Sequence, residues 1–73
     1  MIRHKFTKPD YVYENIERLA EFRQKRNLTQ QELSTAVGIN YRLLKCYELG
    51  YQIPVKQNYN KLAEVFGWQK WEA

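Results

Sequence analysis

The chain has 73 residues, 44% hydrophobic and 15% aromatic, and its 12 Lys and Arg outnumber its 8 Asp and Glu. This length makes one domain, and no apolar run approaches the ~20 residues that cross a bilayer. Residues 1–10 lack the apolar stretch of a secretory signal, so we expect a cytoplasmic protein without a membrane partner.

The chemistry-bearing residues are few. The sequence contains one cysteine, Cys46, and one histidine, His4. It therefore offers neither an intramolecular disulfide nor a metal site by spacing. It also has no glycine-rich phosphate loop and no Cys–His proximity, so we expect neither an enzyme nor a cofactor. The net charge of +4 instead favours a polyanionic partner.

The first helix follows a short arm. Residues 1–6 show no helical periodicity and are predicted to form a basic arm, which leaves 7–73 as the single domain. The apolar spacing of an amphipathic helix follows, with Val12, Ile16, Leu19 and Ala20 in register. Two starts are open: Thr7 with Asp10 resembles a capping box, and Asn15 suits the cap of a shorter helix.

The second helix has clearer signals at both ends. The Thr29 hydroxyl can accept from the Glu32 amide while the Glu32 carboxylate reaches back, which is a capping box. Gly38 tolerates the left-handed conformation that ends many helices. The residues expected to be buried between them are Leu33, Ala36 and Val37.

The third helix begins at Asn40, a favourable N-cap, and ends at Gly50. Its periodicity predicts a packed face and an outer face. The packed face holds Leu44, Tyr47 and Glu48; the outer face holds Arg42, Lys45, Cys46 and Leu49.

A fourth helix follows Pro54 and ends at Gly67. Its apolar residues in register are Val55, Tyr59, Leu62, Ala63 and Phe66. Residues 68–73 are predicted to add one more turn or a short helix. Because no alternating strand pattern occurs, the fold class is all-α, a compact bundle of four to five short helices.

The second and third helices are joined by residues 38–40, which is too short a connection for a long antiparallel hairpin, so the pair should cross steeply. Residues 15–71 resemble the Xre-type, lambda-repressor-like helix-turn-helix regulators of bacteria and phages. The matching residues are LTQQEL at 28–33, Val37-Gly38, Tyr47-Glu48 with Gly50, Pro54, and KLA at 61–63 with Gly67. The resemblance implies a five-helix bundle whose third helix enters the DNA major groove.

The candidate base-reading residues are at the start and on the outer face of that third helix: Asn40, Tyr41, Arg42, Lys45 and Cys46. The resemblance places base readers at all of these positions except Lys45. Arg42 leads, because a guanidinium can bond guanine O6 and N7 together, a contact worth about 1–3 kcal/mol of discrimination. Asn40 is expected mainly to cap the helix and to contact phosphate as an extra role.

Phosphate contacts are expected at the helix starts that flank the groove. The candidates are Gln30, Tyr51, Gln52, Lys56, Gln57 and Asn58. Each is alternatively an ordinary solvated side chain. The arm residues Arg3, His4, Lys5 and Lys8 either follow a minor groove or fray at the terminus.

The resemblance also implies an internal ion pair between Arg23 and Glu48. Glu48 falls on the packed face, where an unpaired carboxylate would be costly, so we expect it to have a structural role. Leu43, Cys46 and Leu49 depart from the family pattern. The two leucines either read thymine methyl groups or, as we favour, pack or lie exposed.

The sequence thus predicts a sequence-specific double-stranded DNA binder that regulates transcription, as a repressor. The alternative is a protein-interaction module, such as an antitoxin or accessory subunit, that binds through its aromatic C-terminus. For the DNA binder itself, Trp68 and Trp71 either cap the core or form the contact of a homodimer on DNA.

Overall fold

The computed structural model describes residues 8–72, in which five helices and no strand occur. The helices are α1 (Asp10–Glu17), α2 (Leu19–Lys25), α3 (Gln30–Val37), α4 (Tyr41–Leu49) and α5 (Lys56–Phe66). The all-α class is confirmed. The predicted arm, 1–6, and its residues Arg3, His4 and Lys5 lie outside the described part of the chain.

The region predicted as the first helix is two helices. α1 ends at Glu17, and Arg18 leaves the helical conformation with φ −107° and ψ 17° before α2 begins at Leu19. The alternative start at Asn15 is wrong, because α1 begins at Asp10 after Pro9 and contains Asn15 in its interior. The break lets Ile16 and Leu19 both reach the core, although they lie on two helix axes.

The predicted ends of α3 and α4 are confirmed. The Glu32 amide donates to the Thr29 hydroxyl at 3.0 Å, and the Thr29 amide donates to the Glu32 carboxylate at 2.8 Å. Gly38 adopts φ +71° and ends α3, and two residues later Asn40 caps α4. Only three residues therefore separate α3 from α4, and the two helices pack against each other.

The core lies between the five helices and includes most residues predicted to be buried. The fully buried larger side chains are Tyr59, Leu19, Leu33, Leu44, Leu62, Val12 and Pro54. Two predicted core positions are wrong. Ala36 is exposed because it lies on the outer side of α3, and Val55 is exposed because it precedes α5 as its N-cap.

Residues 68–72 are not helical, so the predicted final turn is wrong. This segment instead packs against α5 without regular secondary structure and is held by its backbone. The Tyr59 hydroxyl donates to the Gln69 carbonyl at 2.8 Å, and the Asn60 side chain bonds both the amide and the carbonyl of Trp71. A helix in this segment would have used those backbone groups internally.

Trp68 is part of the core, with only 8% of its surface exposed. Its ring stacks on Tyr59 at a centroid distance of 5.5 Å and meets Phe22 edge-on at 5.2 Å. Burial raises the pKa of the Tyr59 hydroxyl, an effect that the hydrogen bond donated by Asn15 opposes. The aromatic residues of α2, α5 and the C-terminal segment thus pack together in one cluster.

Candidate nucleic-acid interface

The two faces of α4 differ as the sequence predicts. Leu44 and Tyr47 are buried, whereas Arg42 and Lys45 are exposed. Tyr41 and Cys46 are half-buried at the margins of the outer face. α4 is thereby fixed by its apolar side and presents two long cationic side chains to solvent, the arrangement that a major-groove helix needs.

The start of α4 is constrained by its cap. The Asn40 side-chain oxygen accepts from the amides of Arg42 at 2.8 Å and Leu43 at 3.3 Å. Capping therefore uses Oδ1, and the side-chain NH₂ takes no part in the cap. Further along the helix, the Lys45 ammonium lies 5.3 Å from the centroid of the Tyr41 ring, a cation–π contact one turn apart.

The two leucines that depart from the family pattern behave differently. Leu43 is half-buried and packs against the core, so packing accounts for it. Leu49 is exposed at the far end of α4. Plain exposure is one of the two outcomes we favoured for it over reading a thymine methyl group.

An ion pair joins α2 to α4. Arg23 Nε donates to Glu48 Oε2 at 2.7 Å and Nη2 to Oε1 at 3.2 Å, while Nη1 donates to the Leu28 carbonyl at 2.8 Å. The two side chains are 13% and 6% exposed. The bidentate pair and the bond to the Leu28 carbonyl together link α2, the segment that leads into α3, and α4.

Gln30 at the start of α3 joins the same network. Its Nε2 donates to Glu48 Oε1 at 2.9 Å, so the side chain is held over the end of α4. The sequence did not predict this bond, because nothing in the spacing of residues 30 and 48 indicates that they meet. A phosphate contact at this position falls more naturally to the backbone amides of the first turn of α3.

The start of α5 carries three of the phosphate candidates. Lys56 and Gln57 are exposed, and the N-cap Val55 has no side-chain acceptor for the first amides of the helix. The Asn58 side chain donates to the Tyr47 hydroxyl at 3.0 Å, another link to α4 that the sequence did not reveal. The amides at the start of α5 therefore form a site at which an anion can bind.

The connection from α4 to α5 carries the other phosphate candidates. Tyr51 and Gln52 are both exposed. The Lys56 ammonium lies 6.0 Å from the centroid of the Trp71 ring, so this cation is held beside the C-terminal segment.

The aromatic C-terminus does not form the expected contact surface. Trp68 is buried in the core, and Trp71 is half-buried with its backbone bonded to Asn60. The expectation that Trp68 contributes to a homodimer contact is therefore wrong, because almost none of its surface is exposed. Of the two predicted roles, Trp68 has the first, capping the core.

Two further findings bear on the class of protein. Across residues 8–72, no helix is long and apolar enough to cross a membrane. In the same region, no three histidine, cysteine or acidic side chains come together in a way that could hold a metal ion.

The fold and the faces of α4 define a helix-turn-helix protein. The family model described as "Helix-turn-helix" matches residues 19–68, which is more than half of the chain. The chain belongs to this family, whose members are Xre-type, lambda-repressor-like, DNA-binding regulators of transcription. Comparison with curated proteins and with solved structures gave no match.

Proposed function

We propose that this protein binds a specific double-stranded DNA operator by inserting α4 into the major groove, and that it represses transcription by occupying that operator. The observation that carries the proposal is the division of α4. Leu44, Tyr47 and Glu48 hold the helix from one side, while Arg42 and Lys45 project from the other. Occupancy alone suffices for repression when an operator overlaps a promoter.

Arg42 has the leading role in base recognition. Its exposed guanidinium stands in the first turn of α4, the part of a recognition helix that lies deepest in the groove. A bidentate bond to guanine would favour that base by about 1–3 kcal/mol. Lys45, one turn on, reaches a guanine or a phosphate, and the Asn40 NH₂ reaches either kind of acceptor.

Tyr41 and Cys46 have a lesser role. Both are half-buried, and the Tyr41 ring already contacts the Lys45 ammonium. Their accessible atoms suit van der Waals contact with base edges, such as a thymine methyl group, more than a bidentate hydrogen bond.

The phosphate backbone is clamped by the starts of α3 and α5. The side chains of Gln30 and Asn58 bond within the protein, so their positions contribute chiefly through backbone amides. Lys56, Gln57, Tyr51 and Gln52 supply exposed side-chain donors. Such contacts fix the register of α4 on the duplex and carry no sequence information themselves.

The alternative function, binding another protein through the aromatic C-terminus, has less support. It requires Trp68 and Trp71 at the surface, and Trp68 is in the core. The two functions are separated by asking whether the purified chain alone selects a DNA sequence.

The test is selection of bound sequences from a random duplex library, followed by mobility-shift titrations with three variants. Arg42→Ala should flatten the preference at one base pair, a loss of roughly 5- to 150-fold in affinity for the selected site. Lys56→Gln should weaken selected and scrambled DNA alike and lower the slope of log K against log [salt] by about 0.9.

Arg18→Ala is the matched control, since Arg18 is an exposed arginine outside α4 that is paired with Glu21. It should leave both the preference and the affinity for scrambled DNA nearly unchanged. An Arg42→Ala protein that selects the same sequence as the wild type would refute the assignment of α4 as the reading helix.

A further inference from the structure

A cleft of about 450 Å³ lies between α1 and the end of α4, and we term it the α1–α4 cleft. Its walls are the second half of α1, the last turn of α4 and the start of the connection that follows. Its volume is within the roughly 300–1,000 Å³ of sites that bind small molecules. Neither Arg42 nor Lys45 lines it, so it is separate from the outer face of α4.

The floor of the α1–α4 cleft is apolar. Ile16 and Tyr47 line it and are almost fully buried, with 2% and 3% of their surface exposed. Leu49 and Ile53 add further apolar wall, and Leu49 remains 61% exposed. An occupant that covered Leu49 would remove apolar surface from water, which favours a ligand with an aromatic or aliphatic body.

The charge of the cleft is negative, although the chain carries 12 Lys and Arg against 8 Asp and Glu. None of the described residues that line it is basic, whereas Glu17 and Glu48 are acidic. The Glu48 carboxylate is already bonded to Arg23 and Gln30. Glu17 is exposed, and within residues 8–72 its carboxylate has no ion pair. Glu17 therefore provides the charge that a ligand can meet.

The ends of two helices add to this negative charge. α1 ends at Glu17 and α4 at Leu49, and both residues line the cleft. The C-terminal end of a helix carries a partial negative charge, which a nearby cation stabilises. Neither helix has a basic residue in its last turn, and Arg18, which follows α1, is paired with Glu21. Neither last turn thus has a cation of its own.

We propose that the α1–α4 cleft binds a small organic cation with an apolar body, of the arylalkylammonium class. The floor at Ile16 and Tyr47 receives the ring, and the Glu17 carboxylate receives the ammonium group. The same charges disfavour an anion, and a cation without an apolar body gains nothing from the floor. The site does not require DNA, so it is independent of the proposed function.

The test uses phenethylammonium as the probe and phenylpropionate as its matched anion, which has the same ring and spacer. Each is titrated into the full chain at low ionic strength, without DNA, and the amide resonances report binding. We expect the cation to shift the amides of Ile16, Glu17, Leu49 and Gly50 and to bind at least about tenfold more tightly than the anion. Equal affinities, or shifts confined to other residues, would overturn the proposal.

Glu17→Gln removes the charge and keeps the length of the side chain. It should weaken phenethylammonium about fivefold, the effect of one exposed ion pair, and leave uncharged phenethyl alcohol unchanged. Glu14→Gln is the matched control, since Glu14 is an exposed carboxylate of α1 that does not line the cleft. It should change neither affinity. Equal effects of the two substitutions would show attraction to net charge alone and would overturn the proposal.

Leu49→Ala tests the apolar wall, since alanine keeps the helix propensity at the end of α4. It should weaken phenethylammonium and phenethyl alcohol by the same factor, roughly two- to fivefold, because both bury a ring against this residue. Unchanged affinity for both would place the ring elsewhere and overturn the proposal. Shifts of the same amides that follow protein concentration instead of probe concentration would assign the cleft to another copy of the chain, which also overturns it.

Discussion

Replacing Glu48 by alanine tests how the buried ion pair with Arg23 holds α4 in place. The substitution removes the acceptor of three hydrogen bonds, two from Arg23 and one from Gln30. Arg23 would keep only its bond to the Leu28 carbonyl, with a charged side chain that is 13% exposed. Leaving one partner of a buried pair uncompensated costs about 3–5 kcal/mol.

That loss is large for a protein of this size. The free energy of unfolding of a small domain is about 5–15 kcal/mol, and each kcal/mol lost from it lowers Tm by about 4–8 °C. We therefore expect Glu48→Ala to lower Tm by at least about 12 °C. The assay is equilibrium urea and thermal unfolding, followed by circular dichroism and by tryptophan fluorescence, since Trp68 is buried in the native state.

The chain provides its own control in a second ion pair. Arg18 and Glu21 lie 3.1 Å apart, but their side chains are 58% and 62% exposed. Glu21→Ala should cost at most about 1 kcal/mol, because surface pairs are screened by water. Equal losses from Glu48→Ala and Glu21→Ala would refute the reasoning from burial.

A double substitution distinguishes an unpaired charge from lost packing. Arg23→Met with Glu48→Leu removes both charges and keeps apolar volume in their place. Such replacements are often neutral or stabilising, so the double variant should be more stable than Glu48→Ala by a few kcal/mol. A double variant as unstable as the single one would assign the loss to packing instead.

Three further predictions concern local features. Thr29→Ala should lower the free energy of unfolding by about 1 kcal/mol through loss of the cap, whereas Thr35→Ala, an exposed threonine within α3, should change it little. Gly38→Ala should lower the free energy of unfolding by about 1 kcal/mol, because the residue at this position has a φ of +71°. A urea titration in which the variant is more stable than the wild type would contradict this. Burial raises the pKa of Tyr59 above the ~10 of the unfolded chain. The stability that this difference contributes is therefore present below pH 10 and is lost as pH rises further. The alkaline loss of stability should be smaller in Tyr59→Phe; an identical alkaline profile would contradict it.

The sequence predicted those features that depend on neighbouring residues. The Thr29–Glu32 box and the Asn40 cap are local hydrogen bonds between side chains and the nearest amides, so a short stretch of sequence determines them. The buried positions Leu44 and Tyr47 follow from helical period alone. The positions of α3 and α4 along the chain were predictable for the same reason.

Features that depend on packing between distant segments were not predictable. Arg18 interrupts a region without proline or glycine, because splitting the helix there lets both halves reach one core. Trp68 enters that core from a segment that is not helical, so its position does not follow from helical period. The bonds that engage Gln30 and Asn58 likewise join residues far apart in sequence.

The division of α4 has a consequence for the engineering and divergence of this protein. Leu44, Tyr47 and Glu48 secure the helix, while Arg42 and Lys45 stand clear of those contacts. New side chains at the two exposed positions can therefore be sampled almost independently of folding. A library randomised there should consist mostly of folded proteins, so if α4 reads DNA as we propose, its specificity could be changed without loss of the fold.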